Sequence, residues 1–341
     1  MSETLAPRFE RFALRECHAS PLYERLSRGI AHDPEILAIA MQAKLGQPVP
    51  NLFLAAVHFL LLQGVAHPLM AFYPSLSPAS SASADPYPSF HAFCLEQREE
   101  ILELISTRLV QTNEVRCCGC LLPAFIYTAQ RASGGPFALV EIGASAGLNL
   151  LWNHYGYDYG IGRHYGDPRA LVQILCELRG DRQPPLPTVW PMVATRVGLD
   201  LNPIDVRDPD AALWLRALVW PDEGGRAELL QQAMRVAHHD PPRLLAGNAL
   251  DLLPEVLAIV PKDQTLCVFH THTINQFPPE ARARLAALLA EQAVGRNLYQ
   301  ISIEWLGEGY PRLELVAFEN HVRTAHLLAY CGGHGEWLEW L

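Results

Sequence analysis

The sequence predicts an α/β protein, an all-helical region over residues 1–133 followed by a largely parallel sheet over residues 134–341. Three observations predict it. From Phe9 to about Arg131 apolar residues recur at helical spacing, as in Ile101, Leu102, Ile105 and Leu109. At Gly134-Gly135-Pro136 the pattern breaks. Beyond it, apolar runs of strand length alternate with helical stretches, the order that builds a parallel sheet with crossover helices.

Within the helical region the longest apolar run, Leu52 to Leu62, is interrupted by His58 and is shorter than the ~20 residues a membrane span needs, so it reads as a buried helix. Leu76 to Pro88, rich in Ser, Ala and Pro, reads as an exposed loop. Strands are expected at Ala138–Ile142, Arg196–Leu199, Arg243–Ala246, Leu266–Phe269 and Leu298–Ile303. Asp208 followed by Pro209 is a helix cap with proline at the first helical position, and Pro278-Pro279-Glu280 opens another helix. Leu313–Phe318 and Ala325–Tyr330 leave no room between them for a crossover helix, so they should pair antiparallel at the C-terminal edge.

Half the residues are hydrophobic and 18% are charged, the composition of a packed globular protein. A formal charge of −10 speaks against a nucleic-acid partner, whose binding rests on clustered Lys and Arg. The opening stretch MSETLAPRFERFALREC is charged and amphipathic, so neither export nor a membrane partner is expected, and a cytoplasmic location is. Eight cysteines in such a chain read as reduced core thiols. Cys117, Cys118 and Cys120 form their one cluster, with no second pair near, and zinc is not expected.

The most informative segment is Ala138 to Leu151, ALVEIGASAGLNLL: a strand ending in Glu141-Ile142, the turn Gly143-Ala144-Ser145-Ala146-Gly147, and a helix start. Such a turn lets backbone pass close to a ligand and aims free amides at it, which suits an adenosyl or phosphate-bearing cofactor. A ribose-binding carboxylate belongs at the end of a neighbouring strand. Asp167 has the usual spacing but sits in HYGDPRA, which is no strand; Asp200, followed by Leu201, directly ends the run Val197-Gly198-Leu199. Choosing Asp200 implies an insertion at about 153–195. Asn248, with Ala249 after the third strand, could meet an adenine amino group.

The order VEIGASAGLN, GLDLNP, LLAGNALD resembles motifs one to three of class I S-adenosylmethionine-dependent methyltransferases. More specifically, PLYERLSRGIAHDPEIL, PNLFLAAVHFLLLQG, QTNEV, YDYG, YGDP and WLRALVWP together resemble the bacterial family called domain of unknown function 2332, over nearly the whole chain. The resemblance implies a Rossmann-like methyltransferase sheet behind a helical N-terminal region, with S-adenosylmethionine as cofactor and a small molecule as acceptor. It places Glu141, Gly143, Ser145 and Gly147 around the methionine part and Asp200 at the ribose hydroxyls. Ser145 stands where the class I pattern has its middle glycine.

That serine creates a rival. Gly143 to Gly147 also satisfies G-x-S-x-G, the nucleophile elbow of α/β-hydrolases, and a triad of Ser145, Asp200 or Asp251, and His270 or His321 has the permitted chain order. Against this serine esterase, hydrolase elbows follow earlier strands, whereas everything upstream of Ala138 reads as helix. A carboxylate such as Glu141, buried at a strand end, also needs a donor, which a cofactor ammonium supplies. A non-catalytic cofactor-binding scaffold is the third reading.

For methyl transfer the protein must position an acceptor and take its proton. His270 and His272, at the end of the fourth strand where open α/β sheets bind ligands, are the catalytic candidates, and His270 is also a cofactor-binding candidate. Alternation along an extended chain would put both on one face, two legs of a metal site for which no third ligand is evident. Thr112-Asn113-Glu114-Val115-Arg116 concentrates an amide, a carboxylate and a guanidinium; Glu114 is a third catalytic candidate, and Asn113 and Arg116 could close over the site. Tyr157 and Tyr159, with Trp152, Tyr155 and Tyr165, could line an acceptor pocket or lid. Asn275-Gln276-Phe277-Pro278-Pro279 is not an amino-group methylation motif and reads as a helix entry.

Overall fold

A computed structural model describes residues 5–77, 84–132, 134–307 and 309–341. Residues 78–83 of the expected Ser/Ala/Pro loop lie outside these; a helix, Tyr87–Glu96, begins at the end of that segment. The chain forms two compact units, one of residues 1–112 with 207–231, the other of residues 113–206 with 232–341.

The first unit is helical. Three of its helices start on one device, a side-chain cap followed by proline: Ser20 accepts from the Tyr23 amide ahead of Pro21–Ala31, Asp33 from Glu35 and Ile36 ahead of Pro34–Ala40, and Asp208 from Asp210 ahead of Pro209–Ala217. The apolar run at Leu52 lies in the helix Val49–Leu62, buried on all sides among Phe9, Leu26, Ile36, Phe90, Ile105 and Trp214. His58 is accommodated there because both ring nitrogens are satisfied: Nδ1 lies 3.0 Å from the Ala217 carbonyl and Nε2 2.8 Å from Ser75 Oγ. No described helix is long and apolar enough to cross a membrane.

The second unit carries the strands. They are β1 (Phe137–Ile142), β2 (Gly156–Asp158), β3 (His164–Tyr165), β4 (Gln173–Leu175), β5 (Glu177–Arg179), β6 (Val193–Asp200), β7 (Arg243–Ala246), β8 (Thr265–Thr271), β9 (Leu298–Glu304), β10 (Arg312–Glu319), β11 (Val322–Cys331) and β12 (Trp337–Trp340). Nine form one sheet in the order β5-β12-β11-β10-β9-β8-β1-β6-β7; β3-β2-β4 form a small second sheet. The run β7-β6-β1-β8-β9 is parallel throughout, with β1 central and buried along its whole length. β9 to β12 continue as an antiparallel meander.

All five strands expected from the apolar runs are present, and the β10–β11 hairpin pairs antiparallel as expected. It is not the edge, because β12 and then β5, contributed by the insertion, lie outside it. The helix Cys117–Arg131 packs on β9, β10 and β12 and belongs with the sheet. All eight cysteines are buried and unbridged.

Burial pushes the His58 imidazole down to about 4 from an ordinary 6.5, the Ala217 carbonyl opposing that shift only in part. A lowered histidine pKa means the unfolded chain binds the extra proton first, so stability is complete above about 6.5 and declines as pH falls toward about 4. The decline attributable to His58 should be on the order of 3 kcal/mol. Urea unfolding across that range should show it in the wild type and not in His58→Gln.

Candidate functional site

The chain steps from β1 outward through β6 and β7, then returns to place β8 and β9 on the other side, so the topological switch point lies at the carboxyl ends of β1 and β8. Two turns meet there. Gly143 leaves β1 at φ 71°, and a Cβ on it would stand 2.3 Å from Thr273 Oγ1, so only glycine permits this approach. Ser145 at φ 52° and Gly147 at φ 70° follow, making the turn left-handed at alternate positions.

Four of the five amides of the turn Gly143–Gly147 are spent within the protein. Gly143 and Ala144 donate to the Leu199 carbonyl at 2.8 and 3.3 Å, Gly147 to Ala144 at 2.7 Å, Ser145 to Asp200 Oδ2 at 2.8 Å, and Leu148 to Asn113 Oδ1 at 3.1 Å. The expectation of a row of free amides fails because the neighbouring strand end, the turn itself and the 113–116 loop take these five. A short 3-10 turn, Leu148–His154, stands where an α-helix was expected. The segment is therefore a close-approach turn and not a phosphate cradle.

Its acids are met unequally. Asp200 is held by Ser145 and, through Oδ1, by the Asn202 amide at 2.8 Å. Glu141 is 1% exposed; its Oε1 receives only the Asn149 side-chain amide, at 3.4 Å, and Oε2 has no partner. Burial therefore raises its pKa well above the carboxylate range, the Asn149 hydrogen bond opposes the shift, and the charge of Asp200 adds to it. Ser145 Oγ, 2% of the residue being exposed, is also unpartnered.

Glu304, the last residue of β9, is the opposite case. Its Oε1 accepts from His270 Nδ1 at 2.7 Å and from the Thr273 and Ile274 amides at 3.0 Å each, and Oε2 accepts from Asn275 at 3.2 Å. Burial acts to raise its pKa, but these donors outweigh it and hold the carboxyl below its usual range. Both nitrogens of His270 are engaged, Nε2 lying 3.0 Å from Gln300 Nε2, so His270 orients the turn and has no nitrogen left for a substrate.

His272 does not share a face with His270, because it leaves the strand at φ 51°. Its Nε2 is buried and unpartnered. Burial lowers its pKa, while Glu304, Glu114 and the Gly333 carbonyl pull the other way. The ring is thus a neutral base near neutral pH. Glu114 Oε1 accepts from the Arg116 amide at 3.3 Å and Oε2 lies 3.6 Å from His334 Nδ1.

The other residues that the sequence singles out take different places. Asn248 is exposed, its Oδ1 capping the helix Ala249–Ala258 through the Leu250 amide at 2.9 Å, with Ala249 buried behind it. Leu201 is 70% exposed. Tyr157 and Tyr159 neither line a pocket nor form a lid, since both rings are enclosed and their hydroxyls donate to the Trp152 and Gly119 carbonyls at 2.6 and 2.7 Å. Of the triad alternatives, Asp251 pairs with Arg284, and His321 occupies the β10–β11 turn beyond the amino end of β9. Asn149, Gln300, Glu304 and His334 join the site without having stood out in the sequence. Glu304 had a readable signal, an acid ending the fifth parallel strand. Among the described residues no group of three or more His, Cys, Asp or Glu could hold a metal ion.

The profile of a protein family matches residues 6–340; the family is described as an uncharacterized protein conserved in bacteria, domain of unknown function 2332. The chain belongs to that family. No curated protein and no solved structure matches it.

Two substitutions check this geometry. Gly143→Ala should cost roughly 2–5 kcal/mol, the left-handed backbone penalty plus the collision with Thr273. Gly160→Ala, also left-handed but with nothing within 4 Å, should cost only the backbone part, about 1–2 kcal/mol, in parallel unfolding curves. Glu141→Gln should stabilise the ligand-free protein. A raised carboxyl pKa gives stability that is present below 4.5 and lost as pH climbs toward the folded value, at about 1.4 kcal/mol for each tenfold gain in the carboxyl's proton affinity. The melting-temperature gain of Glu141→Gln should therefore be larger at pH 8 than at pH 5.

Proposed function

We propose that this protein binds S-adenosylmethionine at the carboxyl edge of its parallel sheet and acts as a methyltransferase-like protein on a small molecule. The observation that carries the reading is the Glu141 carboxyl, buried with one oxygen unpartnered beside a turn that only glycine can make. A buried acid held this way is completed by a cation, and the ammonium of a methionine group is one. A phosphate would find four of the turn's five amides already bonded and no helix of useful length behind it.

The residues present fit the cofactor. Glu141 would hold its amino group, Gly143 to Gly147 would allow close approach, and Asp200, at the end of β6, would take the ribose hydroxyls. Asn248, already capping a helix through Oδ1, has its side-chain N–H groups for an adenine ring nitrogen rather than an acceptor for the amino group. When bound, the cofactor supplies an electrophilic methyl group. The protein supplies a neutral, buried His272 to receive the acceptor's proton, and a turn held rigid by Glu304.

The esterase reading has one feature in its favour, the left-handed Ser145. It has no base: the hydroxyl is unpartnered and His270 is fully engaged.

Calorimetric titration with S-adenosylmethionine and its demethylated product tests the proposal. Both should bind the wild type and Ser145→Ala, while Glu141→Gln should bind about 10- to 100-fold more weakly, the loss of one charge-assisted hydrogen bond. Absence of binding to folded, ligand-free wild type overturns it. Hydrolysis of an activated ester that disappears in Ser145→Ala would establish the esterase instead.

A further inference from the structure

The insertion between β1 and β6 encloses a cavity of about 420 Å³, walled by residues 163–167 around β3 and by the 187–190 stretch that leads into β6. It lies toward the amino end of the parallel sheet. Trp190, on its wall, is two residues ahead of Met192, whose carbonyl accepts from the first amide of β1, Phe137, at 2.7 Å. Glu141 and the glycine turn stand at the other end of that strand. The wall is preformed. Gly166, at φ 83°, has no room for a Cβ, which would lie 2.5 Å from the Tyr155 carbonyl oxygen, and the Gln173 side-chain amide donates to the Ala170 and Asp167 carbonyls at 2.9 and 3.2 Å. The Trp190 indole N–H donates to the Asn153 carbonyl at 3.1 Å, and its ring packs on Trp152 and Tyr157 with centroids 5.8 and 6.1 Å away.

Inside this frame the polar groups are mostly donors. Asn153 Oδ1 is taken by the Arg196 guanidinium at 3.0 Å, so that side chain offers a ligand its N–H groups. The Arg163 guanidinium stands 5.1 Å from the centroid of the Tyr165 ring and, among the described residues, forms no ion pair. Trp190 and Pro187 add flat apolar surface. We propose that this cavity binds a small aromatic carboxylic acid, its carboxylate on Arg163 and Asn153 and its ring against Trp190 and Pro187. The site is separate from the cofactor site proposed above and does not depend on it. A guanidinium fork matches a planar carboxylate in two parallel hydrogen bonds. Charge selects a monoanion over a phosphate: Asp167 lines the same cavity, and a dianion would meet that acid with one guanidinium to offset it. His164, a second basic group on the wall, already faces Asp158 Oδ2 at 3.8 Å. Size agrees, since ligand pockets run from roughly 300 to 1,000 Å³ and this one is at the small end, suited to one or two fused rings and too small for a dinucleotide.

Calorimetric titration of the full, ligand-free chain with 1-naphthoate, 1-naphthyl phosphate and 1-naphthalenemethanol tests this. The carboxylate should bind with a millimolar or lower Kd, at least about tenfold more tightly than the phosphate or the alcohol. Arg163 and Asp167 are both exposed, so substitutions there leave the core intact. Arg163→Gln should weaken naphthoate by about tenfold or more and leave the alcohol unchanged. Asp167→Asn, which keeps the Oδ1 that accepts the Arg169 amide, should strengthen the phosphate several-fold. In 15N spectra the Trp190 indole signal, assigned by its loss in Trp190→Phe, should shift as naphthoate saturates. No naphthoate binding, equal binding of acid and alcohol, naphthoate affinity unchanged in Arg163→Gln, phosphate affinity unchanged in Asp167→Asn, or an unmoved Trp190 signal each overturns the proposal. A failed S-adenosylmethionine titration bears on none of these outcomes.

Discussion

A carboxylate withdrawn from water has to be met by donors or surrender its charge, and the carboxyl edge of this sheet holds three of them on three strand ends. Glu304 collects an imidazole and three amides and stays ionised. Asp200 accepts from two amides, one belonging to the glycine turn and one to Asn202, and so ties that turn to the end of β6. Glu141, on the central strand, is given one long side-chain contact and is pushed toward its neutral form. The flanking acids thus build the scaffold, and the middle one is left incomplete.

The glycine turn follows from the same arrangement. With three of its amides tied to the end of β6 and one to its own Ala144 carbonyl, it is poorly made as a set of donors, and its value is the absence of side chains where two strand ends meet. This explains why one pentapeptide satisfies two motifs. Both a cofactor turn and a nucleophile elbow need left-handed backbone between a strand and a helical turn; they differ in what faces Ser145, and no base does.

The parallel strands are legible in the sequence because each is an apolar run bounded by turn residues, and the helix starts because a cap followed by proline is a local device. What escapes a sequence reading depends on partners far away in the chain. Tyr157 and Tyr159 read equally well as lid or as core, and only the carbonyls of Trp152 and Gly119 decide. Strand alternation places His272 beside His270, but the strand ends one residue earlier, at Thr271. The helix at Pro209 has the apolar stripe of a crossover, yet residues 207–231 rejoin the first unit, since periodicity says which face is apolar and not what covers it. Glu304 is hard to single out although its position at a strand end is visible, because acids after apolar strands are as often solvated.

The sheet borrows its outermost strand from the middle of the chain. β5 is three residues long, Glu177, Leu178 and Arg179, and lies parallel to β12. The opposite margin, β7, is four residues long and opens on Arg243. Short margins bearing charges offer little for a foreign strand to copy. Without the insertion, β12 would present its unpaired backbone beside Trp337 and Leu338, a template for stacking of one molecule on the next. The segment that separates the first two parallel strands therefore also closes the far margin of the sheet, and removing it would uncover that edge for a foreign strand to pair with.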